Sequence, residues 1–228
     1  MSDYGDVDTM SDYDSTMVRT LDRERLASLW QDTAFSDVIL VVEGPQECPE
    51  EPRQTTLKIP VHKAVLAAAS PYFHSMFTSA SFTEKYKREV PLKSVHIGLD
   101  PGSVEAILCY IYTGVKIPLS QDNAQSLLEA ASYLEVTLVM EQTSQFFEEN
   151  IWSFEDVMEV RDLAVTNGCT NLVTAVDSFI GDNFSEITAS ANFLEYSLEN
   201  VATLMKIDRE LFGGGSEKEI FKAVIKWI

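Results

Sequence analysis

From residue 100 onward, apolar side chains recur at intervals of three and four. Behind Asp100-Pro101, the residues Val104, Ile107, Leu108, Ile111 and Tyr112 fall at i, i+3, i+4, i+7 and i+8, and Gly114 follows. This predicts a helix with an aspartate cap, a proline in its first turn and a glycine stop. Ala124, Leu127, Leu128, Ala131 and Leu134 predict the next helix, and Val139, Met140, Thr143, Phe146 and Phe147 the one after. A further series starts at Ser153, a candidate N-cap with Asp156 behind it, and places Leu172, Ala175, Val176, Phe179 and Ile180 on one face. Ser216 with Glu219 forms a capping-box pattern ahead of Ile220, Phe221, Val224, Ile225 and Ile228. That helix has no C-terminal cap, so the chain is expected to be a fragment of a longer protein.

Before residue 100 the periods are mixed. Leu21, Leu26, Leu29 and Trp30 among charges predict a short amphipathic helix. Ser36 to Glu43 is rich in β-branched residues and predicts a strand. Gly44 to Thr55, with three prolines, is a polar loop, and Thr56 to Val61 predicts a second strand. The Ala/Leu-rich stretch His62 to Ala69 predicts a buried helix. Ser70-Pro71 ends it and starts another that runs through Met76-Phe77, and Glu89 to Leu92 predicts a short strand. The fold class is therefore α+β: a helical cluster with a small sheet, followed by an all-α segment.

Charge narrows the function. Thirty-six acidic residues against 17 basic ones give a net charge of −19 in 228 residues. A nucleic-acid binder needs Lys and Arg to replace phosphate counterions, and no basic stripe exists, so no nucleic acid is expected. The same acidity repels anionic lipid headgroups. The longest aliphatic run, Val38 to Val42, is too short to span a bilayer, and Met1 to Ser15 carries five Asp and no basic residue, unlike a secretory signal. No membrane partner is expected. The near-repeat Met1-Ser2-Asp3-Tyr4 and Met10-Ser11-Asp12-Tyr13 belongs to an acidic tail over 1–20, read as disordered. Its Asp6, Asp8, Asp12 and Asp14 lack the glycine and terminal glutamate of a calcium loop. Cys48, Cys109 and Cys169 form no CxxC pair and read as free thiols in a reducing compartment. An intracellular protein is expected, cytoplasmic rather than nuclear.

Enzyme chemistry finds no foothold. His62, His74 and His96 show no metal-ligand spacing, and no Ser or Cys sits in a nucleophile elbow. Gly213-Gly214-Gly215-Ser216 lacks the Lys-Ser/Thr pair and preceding strand of a phosphate loop, and reads as an interhelical linker. The expectation is a non-enzyme with no catalytic residues, no cofactor and no metal.

The order of these elements carries specific residues. Phe35 to Leu40, the run Val61-His62-Lys63-Ala64-Val65-Leu66-Ala67-Ala68-Ala69-Ser70-Pro71-Tyr72-Phe73 with Met76-Phe77, then Ile111 to Gly114 and Leu127 to Ala131 resemble a BTB/POZ domain over 21–151. Asn167-Gly168-Cys169, Phe179-Ile180, Asn183-Phe184, Phe193-Leu194 and Ile220 to Trp227 resemble the BACK domain of Kelch-like proteins, giving a second, truncated segment over 152–228. The loop Gly44 to Thr55 is longer than the family's usual turn and leaves the strand register open. No Kelch repeat is present.

The resemblance implies two activities. BTB domains of this kind form twofold homodimers through the N-terminal helix. Leu26, Leu29 and Trp30 would be its contact residues here, with Asp37 and Lys63 as a buried charged pair at the interface base. A short amphipathic helix is marginal alone in water, which gives its apolar face a reason to be covered. The second activity is binding the N-terminal domain of cullin-3. The family's signature, an apolar residue, any residue, then Glu, is matched by Phe82-Thr83-Glu84, with the first BACK helices extending the contact. The implied function is a substrate-adaptor module of a cullin-3 RING ubiquitin ligase, its substrate bound by a missing C-terminal region. A dimeric scaffold, or a protein that recruits transcriptional corepressors, is the alternative that does not bind a cullin.

Overall fold

The computed structural model describes residues 23–44, 56–79, 86–92, 99–150, 157–207 and 217–228. The acidic tail over 1–20, the polar loop, Ser153 with Asp156, and the glycine run with Ser216 lie outside the described residues. So does the limit expected between 151 and 152. Backbone contacts divide the chain into two units, Met1–Pro118 and Leu119–Ile228.

The first unit opens with a helical segment, α1, over 23–27 and a run of turns to residue 31. Strand β1 (Val38–Glu43) then pairs antiparallel with β2 (Thr56–Val61) and parallel with β3 (Glu89–Leu92), giving the order β2-β1-β3. The register runs unbroken from Val38 opposite Val61 to Glu43 opposite Thr56, so the long connection between the strands introduces no slip. Alternation decides which face is inside. Val38, Leu40, Val42, Ile59, Val61, Val90 and Leu92 are all buried, and this is the period-two pattern of a half-buried sheet. On the opposite face the Lys58 ammonium meets Glu89 at 2.9 Å, both side chains being half exposed. Both edge strands carry a proline, Pro60 and Pro91, which removes main-chain donors from the sheet edges.

Helices α2 (Lys63–Ala69), α3 (Pro71–Thr78) and α4 (Pro101–Thr113) complete this unit. The predicted punctuation is present. Ser70 caps α3 by accepting from the Phe73 N–H at 3.2 Å, and Asp100 caps α4 by accepting from the Ser103 N–H at 2.7 Å. The α4 face Val104, Ile107, Leu108 and Tyr112 is buried together with Leu66, Phe73 and Met76. The expectation of a buried α2 is corrected: Leu66 is its one buried residue, while Ala64, Ala68 and Ala69 face outward. An alanine has little apolar area to bury, so an Ala-rich helix can lie on a surface at small cost.

The second unit is all helical: α5 (Gln121–Tyr133), α6 (Thr137–Glu149), α7 (Val157–Thr166), α8 (Thr170–Asp182), α9 (Phe184–Ala189), a 3-10 turn (Asn192–Glu195), α10 (Leu198–Lys206) and α11 (Glu217–Trp227). Its core gathers Leu128, Met158, Leu172, Val176, Ile180, Phe184, Phe193 and Leu204. Arg161 on α7 clasps Asp177 on α8 through Nε at 2.6 Å and Nη2 at 3.3 Å. In α11 the packed residues are Ala223 and Trp227, the indole N–H donating to the Tyr196 carbonyl at 3.1 Å. The expected apolar face is therefore corrected in part, since Phe221, Ile225 and Ile228 are exposed.

Gly114 ends α4 with φ of 66°, and a Cβ placed there would lie 2.9 Å from Arg23 Nη1. Gly114→Ala is expected to destabilise the chain by about 1–2 kcal/mol through the left-handed backbone alone. Urea unfolding checks this. Arg23→Ala in the same chain should recover only the steric part, because the backbone strain remains.

Candidate functional site

The strand β2 runs into α2 with a single intervening residue, His62. At such a junction the first N–H groups of the helix have no intrahelical partner. Here two distant side chains supply the acceptors. The His62 main-chain N–H donates to Tyr112 Oη at 2.8 Å, and the Lys63 N–H donates to Asp37 Oδ1 at 2.9 Å. His62 itself makes no side-chain cap bond. One aspartate before β1 and one tyrosine near the end of α4 thus cap α2 in place of a local side chain.

The same hydroxyl lies 2.9 Å from His62 Nδ1. Since Tyr112 Oη already accepts from the main chain, its own proton is best used by donating to Nδ1, which assigns the imidazole proton to Nε2. Nε2 is buried and has no hydrogen-bond partner among the described residues. The Trp30 ring packs on Tyr112 at 5.4 Å between centroids and the His62 ring at 5.8 Å. Burial pushes the Tyr112 phenol up to about 12; the His62 N–H opposes the shift and the Asp37 charge adds to it.

Around this junction the structure gathers three of the residues expected at a dimer interface: Trp30, Asp37 and Lys63. Leu26 and Leu29 sit on α1 and the turn behind it, and with Trp30 they are half-buried. Further contacts hold this segment to α4: Gln31 Nε2 donates to Glu105 Oε1 at 3.2 Å, and Arg23 lies over Gly114. Asp37 is exposed, Lys63 is half-buried, and their bond runs through the Lys63 main chain. The Lys63 ammonium also stands 5.7 Å from the centre of the Phe77 ring, tying α2 to α3. Phe82 and Glu84 lie outside the described residues. They follow α3, whose Phe73 and Met76 are anchored in the core.

Three features were missed from sequence. The Tyr112 hydroxyl role shows only as a buried aromatic with a polar tip, which needs a partner somewhere. The outward Ala64 and Ala68, one turn apart on α2, form a surface that another helix can approach closely. Phe35, 72% exposed just before Asp37, adds an apolar side chain to the same end of β1. Among the described residues, no group of three or more His, Cys, Asp or Glu side chains is placed to hold a metal ion, and no helix is long and apolar enough to cross a membrane. Cys109 and Cys169 are free thiols.

Comparison with known proteins gives a consistent result. Residues 26–151 match the sequence profile of the BTB/POZ domain, and residues 157–228 match that of "BTB And C-terminal Kelch", the BACK domain. The chain is 32% identical over 172 residues to Kelch-like protein 2 of Rattus norvegicus, and 31% identical over 172 residues to Kelch-like protein 3 of Homo sapiens. Each alignment covers 75% of this chain and 28% of the relative, so the chain spans under a third of the proteins it resembles.

Tyr112→Phe keeps the ring and its contact with Trp30 but strips the acceptor from the buried His62 N–H. It is expected to cost about 1–3 kcal/mol in urea unfolding. The pH dependence has a defined sign. An unfolded tyrosine ionises near 10, whereas folded Tyr112 keeps its proton to about 12. Its contribution is therefore complete below pH 10 and is lost as pH rises toward 12. The stability difference between the parent and Tyr112→Phe should narrow across that window.

Proposed function

Because the chain belongs to the BTB/POZ and BACK family and is related to the Kelch-like proteins, we propose that it is a substrate-adaptor module of a cullin-3 RING ubiquitin ligase. The observation that carries this reading is the succession of a BTB/POZ match over 26–151 and a BACK match over 157–228 in one chain. The chain works as a homodimer and performs no bond chemistry itself. BTB and the first BACK helices, α7 and α8, hold the N-terminal domain of cullin-3. A region outside these 228 residues holds the substrate, and other subunits transfer ubiquitin.

The dimer forms around α1 and α2. Leu26 and Leu29 retain accessible apolar surface, and burying a large apolar side chain contributes about 1.5–3 kcal/mol. Ala64 and Ala68 let a partner helix come close to α2 without steric conflict. Trp30 already packs on its own Tyr112, so it shapes this surface as well as taking part in it. Dimerisation supplies two arms, and a substrate with two binding elements gains avidity through the effective concentration of the second arm. Phe82 inserts its ring into an apolar pocket of the cullin and Glu84 fixes the register through a polar contact, the division of labour of an anchor and a specificity residue.

Titration calorimetry of the chain with the cullin-3 N-terminal domain tests this reading. Submicromolar binding is expected, weakened more than tenfold, or about 1.4 kcal/mol, in both Phe82→Ala and Glu84→Ala. A folded, dimeric chain that gives no heat of binding would overturn the adaptor role in favour of a scaffold or a corepressor-recruiting protein.

A further inference from the structure

Ser28 closes the C-terminal end of α1. Its hydroxyl donates to the Arg25 carbonyl at 2.7 Å, while the Leu29 N–H reaches back only to Leu26 at 3.1 Å and the Trp30 N–H to Ala27 at 3.0 Å. The hydroxyl thus takes a carbonyl that a continuing helix would have bonded through its own N–H groups. Ser28, Arg23 and Arg25 are exposed, and Leu26 and Leu29 beside them are half-buried. The sequence here is Arg23-Glu24-Arg25-Leu26-Ala27-Ser28-Leu29. Two guanidinium groups stand five and three residues before an exposed hydroxyl, and an apolar side chain follows directly. Nowhere else in the chain do two arginines stand two residues apart.

We propose that Ser28 is a phosphorylation site for an arginine-directed serine kinase, and that its phosphate controls pairing of the chain. Such a kinase reads its substrate with carboxylates, which a guanidinium meets through two parallel hydrogen bonds. Leu29 fills the apolar subsite behind the acceptor. The cleft takes an extended peptide, and α1, over 23–27, is far shorter than the ~12–15 residues of a self-sufficient helix, so it unwinds at small cost. Ser28 Oγ attacks the γ-phosphorus of ATP: the Oγ–P bond forms and the bond from that phosphorus to the β,γ-bridging oxygen breaks. ADP leaves, and the hydroxyl proton passes to the kinase's aspartate base. The resulting ester oxygen has no proton to give the Arg25 carbonyl. A charge of about −1.5 to −2 then stands at the C-terminal carbonyls of α1, where the helix dipole repels it. The turn that carries Leu29 and Trp30 loosens, and the charge lies between Leu26 and Leu29 in the chain. This control rests on the dimer proposed above around α1 and α2, and the kinase acts on the unpaired chain.

Protein kinase B with ATP and Mg2+, acting on the full chain at dilution, tests the site. Mass spectrometry is expected to find a phosphate on Ser28, none on that peptide in Ser28→Ala, and at least tenfold slower incorporation in Arg25→Gln. Light scattering then compares treated and untreated chains. The phosphorylated chain is expected to pair at least tenfold more weakly, Ser28→Asp to follow it with a smaller shift, and Ser28→Ala to pair like the parent. Both positions are exposed, and thermal melts establish that each variant is folded. Absence of phosphate from Ser28, or equal rates for the parent and Arg25→Gln, would overturn the site. A phosphorylated chain that pairs as tightly as the untreated one would overturn the control. An untreated chain that is monomeric at every concentration would instead refute the dimer reading, and mass spectrometry would still decide the site.

Discussion

The first unit depends on satisfying two main-chain N–H groups where β2 becomes α2. Neither strand pairing nor the helix can use them; the His62 donor is buried, where leaving it unpaired costs about 1–3 kcal/mol, and the Lys63 donor sits in an exposed bond. Tyr112, 50 residues downstream, and Asp37, 26 residues upstream, provide the acceptors. These two bonds draw α4, the entry to β1 and the start of α2 to one point. The packing of Trp30 on Tyr112 then brings the segment behind α1 to the same place. The surface on which dimerisation is proposed is thus positioned by the same groups that complete the fold.

The second unit solves its junctions in a related way. Gly168, with φ of 68°, lets α7 turn into α8, and Asn167 caps the end of α7 by donating to the Leu163 carbonyl at 2.9 Å. Ser132 on α5 donates to the Asn167 carbonyl, so this corner is tied to a helix distant in sequence. The clasp between Arg161 and Asp177 fixes the α7–α8 pair with a bidentate geometry that a lysine could not reproduce. The helices proposed to extend the cullin contact are therefore held by directional bonds as well as by apolar packing.

Local chemistry was legible in the sequence, and long-range pairing was not. Ser70, Asp100 and Gly114 announce the ends of α3 and α4 because capping depends on neighbours only a few residues away. The β-branched run from Val38 to Val42 marks a strand, but it is apolar at every position, so only the structure shows that Val38, Leu40 and Val42 face inward. By contrast, nothing local to Tyr112 indicates that its hydroxyl serves His62. Composition also misleads at α2, where alanine permits either burial or exposure. Periodicity marks α11 as apolar but leaves open which of two adjacent faces is packed. Of the interface residues named from sequence, Trp30, Asp37 and Lys63 converge around one junction, Leu26 and Leu29 lie on the neighbouring segment, and Phe82 and Glu84 fall outside the described residues.

The proposed adaptor role requires two copies of this chain to present two cullin sites. Light scattering on a size-exclusion column, with the chain and the cullin-3 N-terminal domain mixed in excess cullin, tests it most directly. A single species with the mass of two chains and two cullin domains is expected. A species containing one chain and one cullin domain would contradict the dimeric arrangement, and separate elution of the two proteins would contradict the adaptor role.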